Sequence, residues 1–149
     1  MSVRKHFSEG DKIQIKNAIR AAELNTSGEV RVHIEKHCKE EVLDRAAYIF
    51  EKLEIHKTEL RNGVLFYLAI EDRKFAILGD AGINQKVPEN FWDEIKENML
   101  TRFKEGNFTK GLSEGIMEAG KQLKTHFPYQ QDDVNELSDE ISFGEKELK

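Results

Sequence analysis

The chain reads VLFYLAI over Val64–Ile70, and every side chain in this stretch is apolar. A strand without a polar face is covered on both sides, so the stretch predicts a buried β-strand with helices above and below its sheet. It is far shorter than the roughly 20 apolar residues that a membrane-spanning helix needs. The sequence therefore predicts an α/β protein in which helices cover both faces of a sheet.

The neighbouring segments extend this sheet. Glu29–Lys36 alternates apolar and polar residues and predicts a strand with one polar face. A helical pattern over Lys39–Glu54 joins it to the buried strand, so a right-handed crossover makes the two strands parallel. The polar connection Glu71–Lys74 then leads into Phe75–Leu78, which predicts an antiparallel return strand. The predicted fold class is a three-layer α/β/α sandwich around a mixed central sheet.

Charge separates a neutral domain from an acidic tail. The chain has 149 residues, enough for one domain. Residues 127–149 hold seven acidic residues and two lysines and therefore carry the whole net charge of −5. We expect an α/β/α domain at residues 1–127 and a mobile acidic tail at residues 128–149. A neutral body lacks the basic surface that nucleic acids and anionic membranes require.

The number of cysteines and the N-terminal sequence indicate the cellular compartment. Cys38 is the single cysteine, so neither an intramolecular disulfide nor a CxxC metal or redox pair is possible. The first ten residues contain no apolar segment of the kind that a secretory signal requires. We expect a cytoplasmic, monomeric protein without a membrane segment of its own.

The predicted topology brings three glycine-bearing loops to one end of the sheet, where the first two strands begin and the return strand ends. A predicted loop at 83–87 and the start of the next helix meet the same end. Calcium and magnesium ions prefer oxygen ligands, and glycines let backbone carbonyls turn inward as further ligands. The same residue types also build ordinary turns, which is the alternative explanation. The candidate metal ligands on these loops are Glu29, Asn62, Asp80, Asn84 and Glu89.

Several short motifs, taken in their order and spacing, resemble the TPM domain family over residues 8–127. That resemblance implies an α/β/α sandwich with a central sheet of about four strands, in agreement with the pattern of the residues. The motifs are SGEV at Ser27–Val30, RNGVL at Arg61–Leu65, EDR at Glu71–Arg73, GDAGI at Gly79–Ile83, Pro88, FKEGNF at Phe103–Phe108 and Gly111-Leu112.

The resemblance also bears on function. Some members of the family bind divalent cations, and phosphatase activity has been ascribed to some. Most relatives carry a signal segment and often a membrane anchor, whereas we expect this chain to be a stand-alone domain. Asn84 stands where relatives have an acidic residue, and Glu89 stands where they have aspartate. Both side chains still offer oxygen, but the first change removes a negative charge.

Three functions follow as hypotheses. The first is a non-catalytic module that binds a divalent cation, calcium in preference to magnesium, and whose loops the ion orders as a regulatory switch. The second is a metal-dependent phosphatase for phosphate monoesters, with Arg61 holding the phosphate and Asp80 serving as ligand or base. The third is an adaptor that binds a protein partner through the acidic tail or through the helix that is expected to begin at Pro88 and that carries Trp92.

Overall fold

The computed structural model describes residues 7–129 and 137–144. No helix within these residues is long and apolar enough to cross a membrane. The described α-helices are α1 (Glu9–Asn25), α2 (Val42–Lys52), α3 (Ala81–Asn84), α4 (Asp93–Lys104) and α5 (Phe108–Leu123). The described strands are β1 (Glu29–Glu35), β2 (Gly63–Ala69), β3 (Lys74–Gly79) and β4 (Ser142–Gly144), and a short 3-10 helix covers Ile55–Lys57.

The four described strands form one mixed sheet in the order β3-β2-β1-β4. Strand β1 is parallel to β2, with Glu29 opposite Gly63, and β3 returns antiparallel to β2. Strand β4 is parallel to β1 on its other side. The structure thus confirms the α/β fold class and the predicted directions of the first three strands.

Helices cover both faces of the sheet. All seven residues of β2 are buried, as their apolar character predicts. One face carries Val30, Val32 and Ile34 of β1 and packs against α1, α4 and α5, whereas Leu65 and Tyr67 of β2 face α2. Helices α1 and α5 on the first face pack so closely that a Cβ atom at Gly120 of α5 would lie only 2.7 Å from the Cα atom of Ala22 in α1.

Two segments after β3 differ from the sequence prediction. A helix was expected to begin at Pro88, but the Phe91 N–H donates to the Pro88 carbonyl in a turn, and α4 begins only at Asp93. A loop was expected at 83–87, but residues 83 and 84 form the end of α3, and only 85–87 are a turn. The Asp80 side chain caps α3 by accepting a hydrogen bond from the Ala81 N–H.

Residues 137–144, called the C-terminal strap below, extend the sheet beyond the domain boundary expected at residue 127. They supply the edge strand β4, whose Phe143 side chain is 7% exposed and packs in the main core. Arg31 donates to the carbonyl of Glu140 at 2.9 Å, and the Glu140 carboxylate pairs with Lys16 at 2.7 Å. The rest of the predicted tail, at 130–136 and 145–149, lies outside the described residues.

Candidate functional site

The sheet topology brings the three predicted loops to one end of the sheet. The Glu29 N–H donates to the Asn62 carbonyl at 3.1 Å, and the Asp80 N–H donates to the Gly63 carbonyl at 2.9 Å. The starts of β1 and β2 therefore lie beside the end of β3. We call this region, formed by residues 27–29, 61–63 and 79–84, the loop end of the sheet.

Asp80 is the buried carboxylate at the loop end. Its side chain is 5% exposed and accepts hydrogen bonds from Nε and Nη2 of Arg61, both at 2.7 Å, and from the Ala81 N–H at 2.7 Å. The two parallel N–H donors of a guanidinium match the two carboxylate oxygens, which makes this a strong, charge-assisted contact. The hydrogen bonds that Arg61 donates to Asp80 raise the pKa of Arg61 above its ordinary value.

The main chain holds Arg61 in place for this contact. Its φ of 51° lies in the left-handed region, which is uncommon for a residue with a side chain. The Arg61 carbonyl accepts the Gly82 N–H at 2.9 Å. A Cβ atom at Gly82 would lie 2.6 Å from that carbonyl oxygen, so only glycine allows the two loops to approach this closely.

Asn62 places an unpaired acceptor at the loop end. The residue is 2% exposed, and its amide Nδ2 donates to the Ser27 carbonyl at 2.9 Å. Its Oδ1 atom is buried and has no hydrogen-bond partner among the described residues. Buried polar atoms are nearly always paired, because an unpaired acceptor costs about 1–3 kcal/mol. Asn62 thus carries a buried acceptor that makes no hydrogen bond within the described residues.

Glu29 lies in the same row across the sheet as Asp80 but does not meet it. The residue between them, Gly63, has no side chain, and the space above it is filled by Ile55 and Leu137, whose atoms would lie 2.5 and 3.4 Å from a Cβ atom there. Glu29 is 5% exposed, and its Oε1 atom accepts the Leu137 N–H at 2.7 Å. Its carboxylate is thus directed to the strap side of the sheet.

The remaining two predicted ligands lie on the surface. Asn84 is exposed at the end of α3, and its amide donates to the Gly79 carbonyl at 3.0 Å. Glu89 is exposed in the turn that precedes α4. Across residues 7–129 and 137–144, no group of three or more His, Cys, Asp or Glu side chains is arranged to hold a metal ion. The structure thus brings Asn62 and Asp80 to neighbouring loops and leaves the other three candidates around them.

Sequence reasoning missed an acidic pair beside Glu29. The Glu23 carboxyl accepts the Val30 N–H at 3.1 Å, and burial together with a hydrogen bond to Asp139 of the strap raises the pKa of Glu23 to about 9. Glu23 follows Ile19 by four residues, so it continues the buried side of α1, and this spacing was the available signal. Asp139 carried no comparable signal, because its partners are over 100 residues away in sequence.

A second polar cluster lies buried under α2. His33 lies on the polar face that alternation predicts for the first strand, and the structure buries this residue completely, at 0% exposed. Its Nε2 atom lies 3.2 Å from Glu35 and its Nδ1 atom 2.8 Å from the Ser142 hydroxyl. Arg45 of α2 donates to both oxygens of Glu35, and the Tyr67 hydroxyl donates to one of them. The cluster therefore joins α2, β2 and the strap to β1.

With the fold and loop geometry established, the family follows from comparison. The model of the TPM domain matches residues 3–122. The chain belongs to the TPM domain family. This confirms the resemblance seen in the sequence motifs, and it assigns the loop end to a TPM domain.

Solved structures agree with this TPM domain. The NMR structure of the BA42 protein from the psychrophilic bacterium Bizionia argentinensis is 46% identical, with a TM-score of 0.88, and the match covers 93% of this chain and 95% of that one.

Two more distant structures share the fold. The N-terminal domain of a P. gingivalis protein is 19% identical with a TM-score of 0.69, covering 84% of this chain and 82% of that one. The N-terminal domain of the cg2496 protein from Corynebacterium glutamicum is 12% identical with a TM-score of 0.62, and the match covers 96% of this chain and 83% of that one. No curated protein matches the chain.

Proposed function

We propose that this TPM domain is a regulatory module that binds a divalent cation, calcium in preference to magnesium, at the loop end of the sheet. The observation that carries the proposal is the buried Oδ1 atom of Asn62, which lacks a partner among the described residues. Asp80 supplies a buried carboxylate on the adjacent loop. Glu29, Asn84 and Glu89 are the further candidate ligands.

The chemistry of these groups fits a hard cation. An amide oxygen, a carboxylate and backbone carbonyls are the donors that calcium takes, six to eight at a time, with flexible geometry. Magnesium demands a smaller octahedral shell and keeps several waters, so loops that offer separate oxygens suit calcium better. The ion would pair with the Asn62 acceptor and tie the loop at 61–63 to the loop at 79–84.

Binding of the ion at the loops would raise the stability of the whole domain. A ligand that binds only the folded state stabilises that state by mass action. At a free calcium concentration about 100 times the dissociation constant, the gain is about 2.7 kcal/mol. A change in calcium concentration would therefore order the loop end, which is the property that a regulatory module needs.

The first prediction tests this function. Calcium chloride should raise the melting temperature of the full chain relative to chelator, and in an NMR titration the largest shifts should fall on residues 27–29, 61–63 and 79–84. Asp80→Asn should abolish the rise, because it removes the buried charge, whereas Glu51→Gln on the exposed surface of α2 should retain it. Identical melting curves with calcium and with chelator would contradict the proposal.

Phosphate-ester hydrolysis requires more of the loop end than cation binding does. The Arg61–Asp80 pair would have to open in both cases, and a phosphatase would in addition need Arg61 as an anion clamp and Asp80 as a metal ligand or base. An adaptor role through the helix near Trp92 is also less favoured. The apolar face of α4, from Trp92 to Phe103, is buried in the core.

Two finer expectations accompany the proposal. We propose that the domain acts in the cytoplasm, in support of which Cys38 is a buried free thiol, as suits a reducing compartment. We also propose that the working unit is the monomer.

A further inference from the structure

We infer that Arg61 is an intramolecular competitor for the cation at Asp80, so that cation binding opens the Arg61–Asp80 pair and turns the guanidinium into solvent. This inference rests on the proposed function and adds a regulatory step to it. The cation site is then self-occluded, and its affinity is set by how firmly Arg61 holds Asp80.

The first argument is the occupancy of the carboxylate. Arg61 Nε binds Oδ2 of Asp80 and Arg61 Nη2 binds Oδ1, each at 2.7 Å, while Oδ1 also accepts the Ala81 N–H. These contacts use three of the roughly four acceptor sites of the carboxylate, and two of them hold the positive guanidinium against it. An incoming cation needs at least one of the carboxylate oxygens, and its charge repels the guanidinium at close range. The two positive groups therefore exclude each other at Asp80.

The second argument is the unequal exposure of the two partners. The Arg61 side chain is 51% exposed, whereas the Asp80 side chain is 5% exposed. When the pair opens, the guanidinium can be hydrated at little cost, but the carboxylate stays buried and needs another positive partner. A divalent cation meets that need and leaves no buried charge unpaired.

The third argument is that the main chain can remain in place while the side chain moves. The Arg61 carbonyl is held by the Gly82 N–H, and the Arg61 N–H donates to the Thr58 carbonyl at 3.2 Å. These two contacts fix the left-handed backbone of Arg61 and do not involve its guanidinium. Opening the pair therefore requires only side-chain rotation, and the loop that presents Asn62 keeps its shape.

The second prediction follows from this competition. Arg61→Gln removes the competing charge and should tighten calcium binding about tenfold, since a charge-assisted contact no longer has to be broken. Arg61→Lys retains the charge and should bind calcium close to the wild-type affinity. The control is Arg102→Gln, which removes an arginine charge from a surface pair, that of Arg102 with Glu114 at 3.0 Å on α4 and α5. Calorimetric titration of the full chain with calcium chloride measures all four affinities.

A measurement on the unmodified chain avoids any effect of substitution on folding. In the wild type, the Arg61 Nε–Hε group donates to Asp80, so its NMR signal should exchange slowly with solvent. Saturating calcium should accelerate that exchange and shift the signal to the position of an exposed arginine. The Arg102 Nε–Hε signal should stay unchanged.

The outcomes separate this inference from the proposed function. Tighter binding by Arg61→Gln alone, with a calcium-dependent Arg61 signal, supports both. Calcium binding that is equal or weaker in Arg61→Gln, or an Arg61 signal that stays protected when calcium is bound, overturns the competitor role and leaves the cation site intact. Absence of saturable binding in the wild type and in every variant overturns the proposed function together with the inference.

Discussion

Glu35 is a charged residue almost completely enclosed by protein. Burial alone would raise the pKa of this carboxyl, but hydrogen bonds from Arg45, His33 and Tyr67 outweigh burial and lower the pKa of Glu35 to about 2. The side chain is 6% exposed, and that of Arg45 is 14% exposed. Each oxygen has donors, so the charge is compensated within the fold.

The third prediction concerns this residue. Glu35→Gln should lower the free energy of unfolding by about 3–5 kcal/mol, because it removes the charged group that Arg45 contacts at 2.8 Å in a buried site. Urea denaturation at pH 7 measures the loss. The matched control is Glu114→Gln, which breaks the exposed pair with Arg102 and should cost about 0–1 kcal/mol. Equal losses in the two variants would show that Glu35 acts like a surface residue.

The sequence reveals only part of the candidate sites at this scale. Alternation along 29–36 correctly separated Glu35 and His33 from the apolar face of β1. The alternation could not show whether this polar face meets water or another element. The decisive donor to Glu35 is Arg45, which lies on α2 among residues whose pattern is that of an exposed helix surface. The same limit applies to Asp80, which the sequence identified as a candidate ligand. Its pairing with Arg61 depends on a left-handed backbone that the residue type does not signal.

At the scale of secondary structure, the C-terminal strap contains the short strand β4, whose three residues are held by side-chain contacts as well as by backbone pairing. Phe143 packs against Phe7 with ring centroids 6.2 Å apart, and Ser142 binds the buried His33. A Cβ atom at Gly144 would lie 2.5 Å from a carboxylate oxygen of Glu35, so glycine lets the strap approach β1 closely.

The fourth prediction concerns the strap. Phe143→Ala should lower the free energy of unfolding by about 3–5 kcal/mol, as expected for deletion of a buried ring. It should also speed hydrogen exchange of the β1 amides that face β4 more than that of the β2 amides. As a control, Met117→Ala changes an exposed side chain on α5 and should shift stability by about 0.5 kcal/mol or less. Unchanged exchange in β1 would mean that the strap does not protect this strand.

Long, strongly patterned elements were the predictable ones. The apolar run at 64–70 specified β2, and the direction of β1 and β3 followed from their connections. Strand β4 has no such pattern of its own, because its stability comes from partners over 100 residues away. The start of α4 was also misplaced, since Pro88 suits the first turn of a helix and a tight turn equally well.

For the whole molecule, two buried carboxyl groups oppose each other in their effect on stability. The pKa of Glu35 falls from 4.5 to about 2 on folding, so its contribution is present above pH 4.5 and is lost as the pH falls toward 2. The pKa of Glu23 rises from 4.5 to about 9, so the folded state holds more protons between these values. Stability from Glu23 therefore declines as the pH rises from 4.5 to about 9.

The fifth prediction is the resulting pH profile. From these two groups, the free energy of unfolding should peak near pH 4.5 and fall on both sides. Glu23→Gln should remove the decline toward pH 9 and keep the acidic decline, because the amide retains an acceptor for the Val30 N–H without ionising. Urea denaturation from pH 3 to pH 9 measures both profiles. Parallel profiles for wild type and variant would contradict the assigned role of Glu23.

The position of β4 in the chain has a consequence for biosynthesis. Strand β1 is complete once residue 35 has been synthesised. Strand β4, which pairs with the outer edge of β1, is not complete until residue 144. During translation, β1 therefore presents unpaired backbone N–H and C=O groups, a template that other extended chains can join. Ribosomes stalled shortly before residue 142 would release a polypeptide with an open sheet margin, a natural substrate for chaperones and proteases.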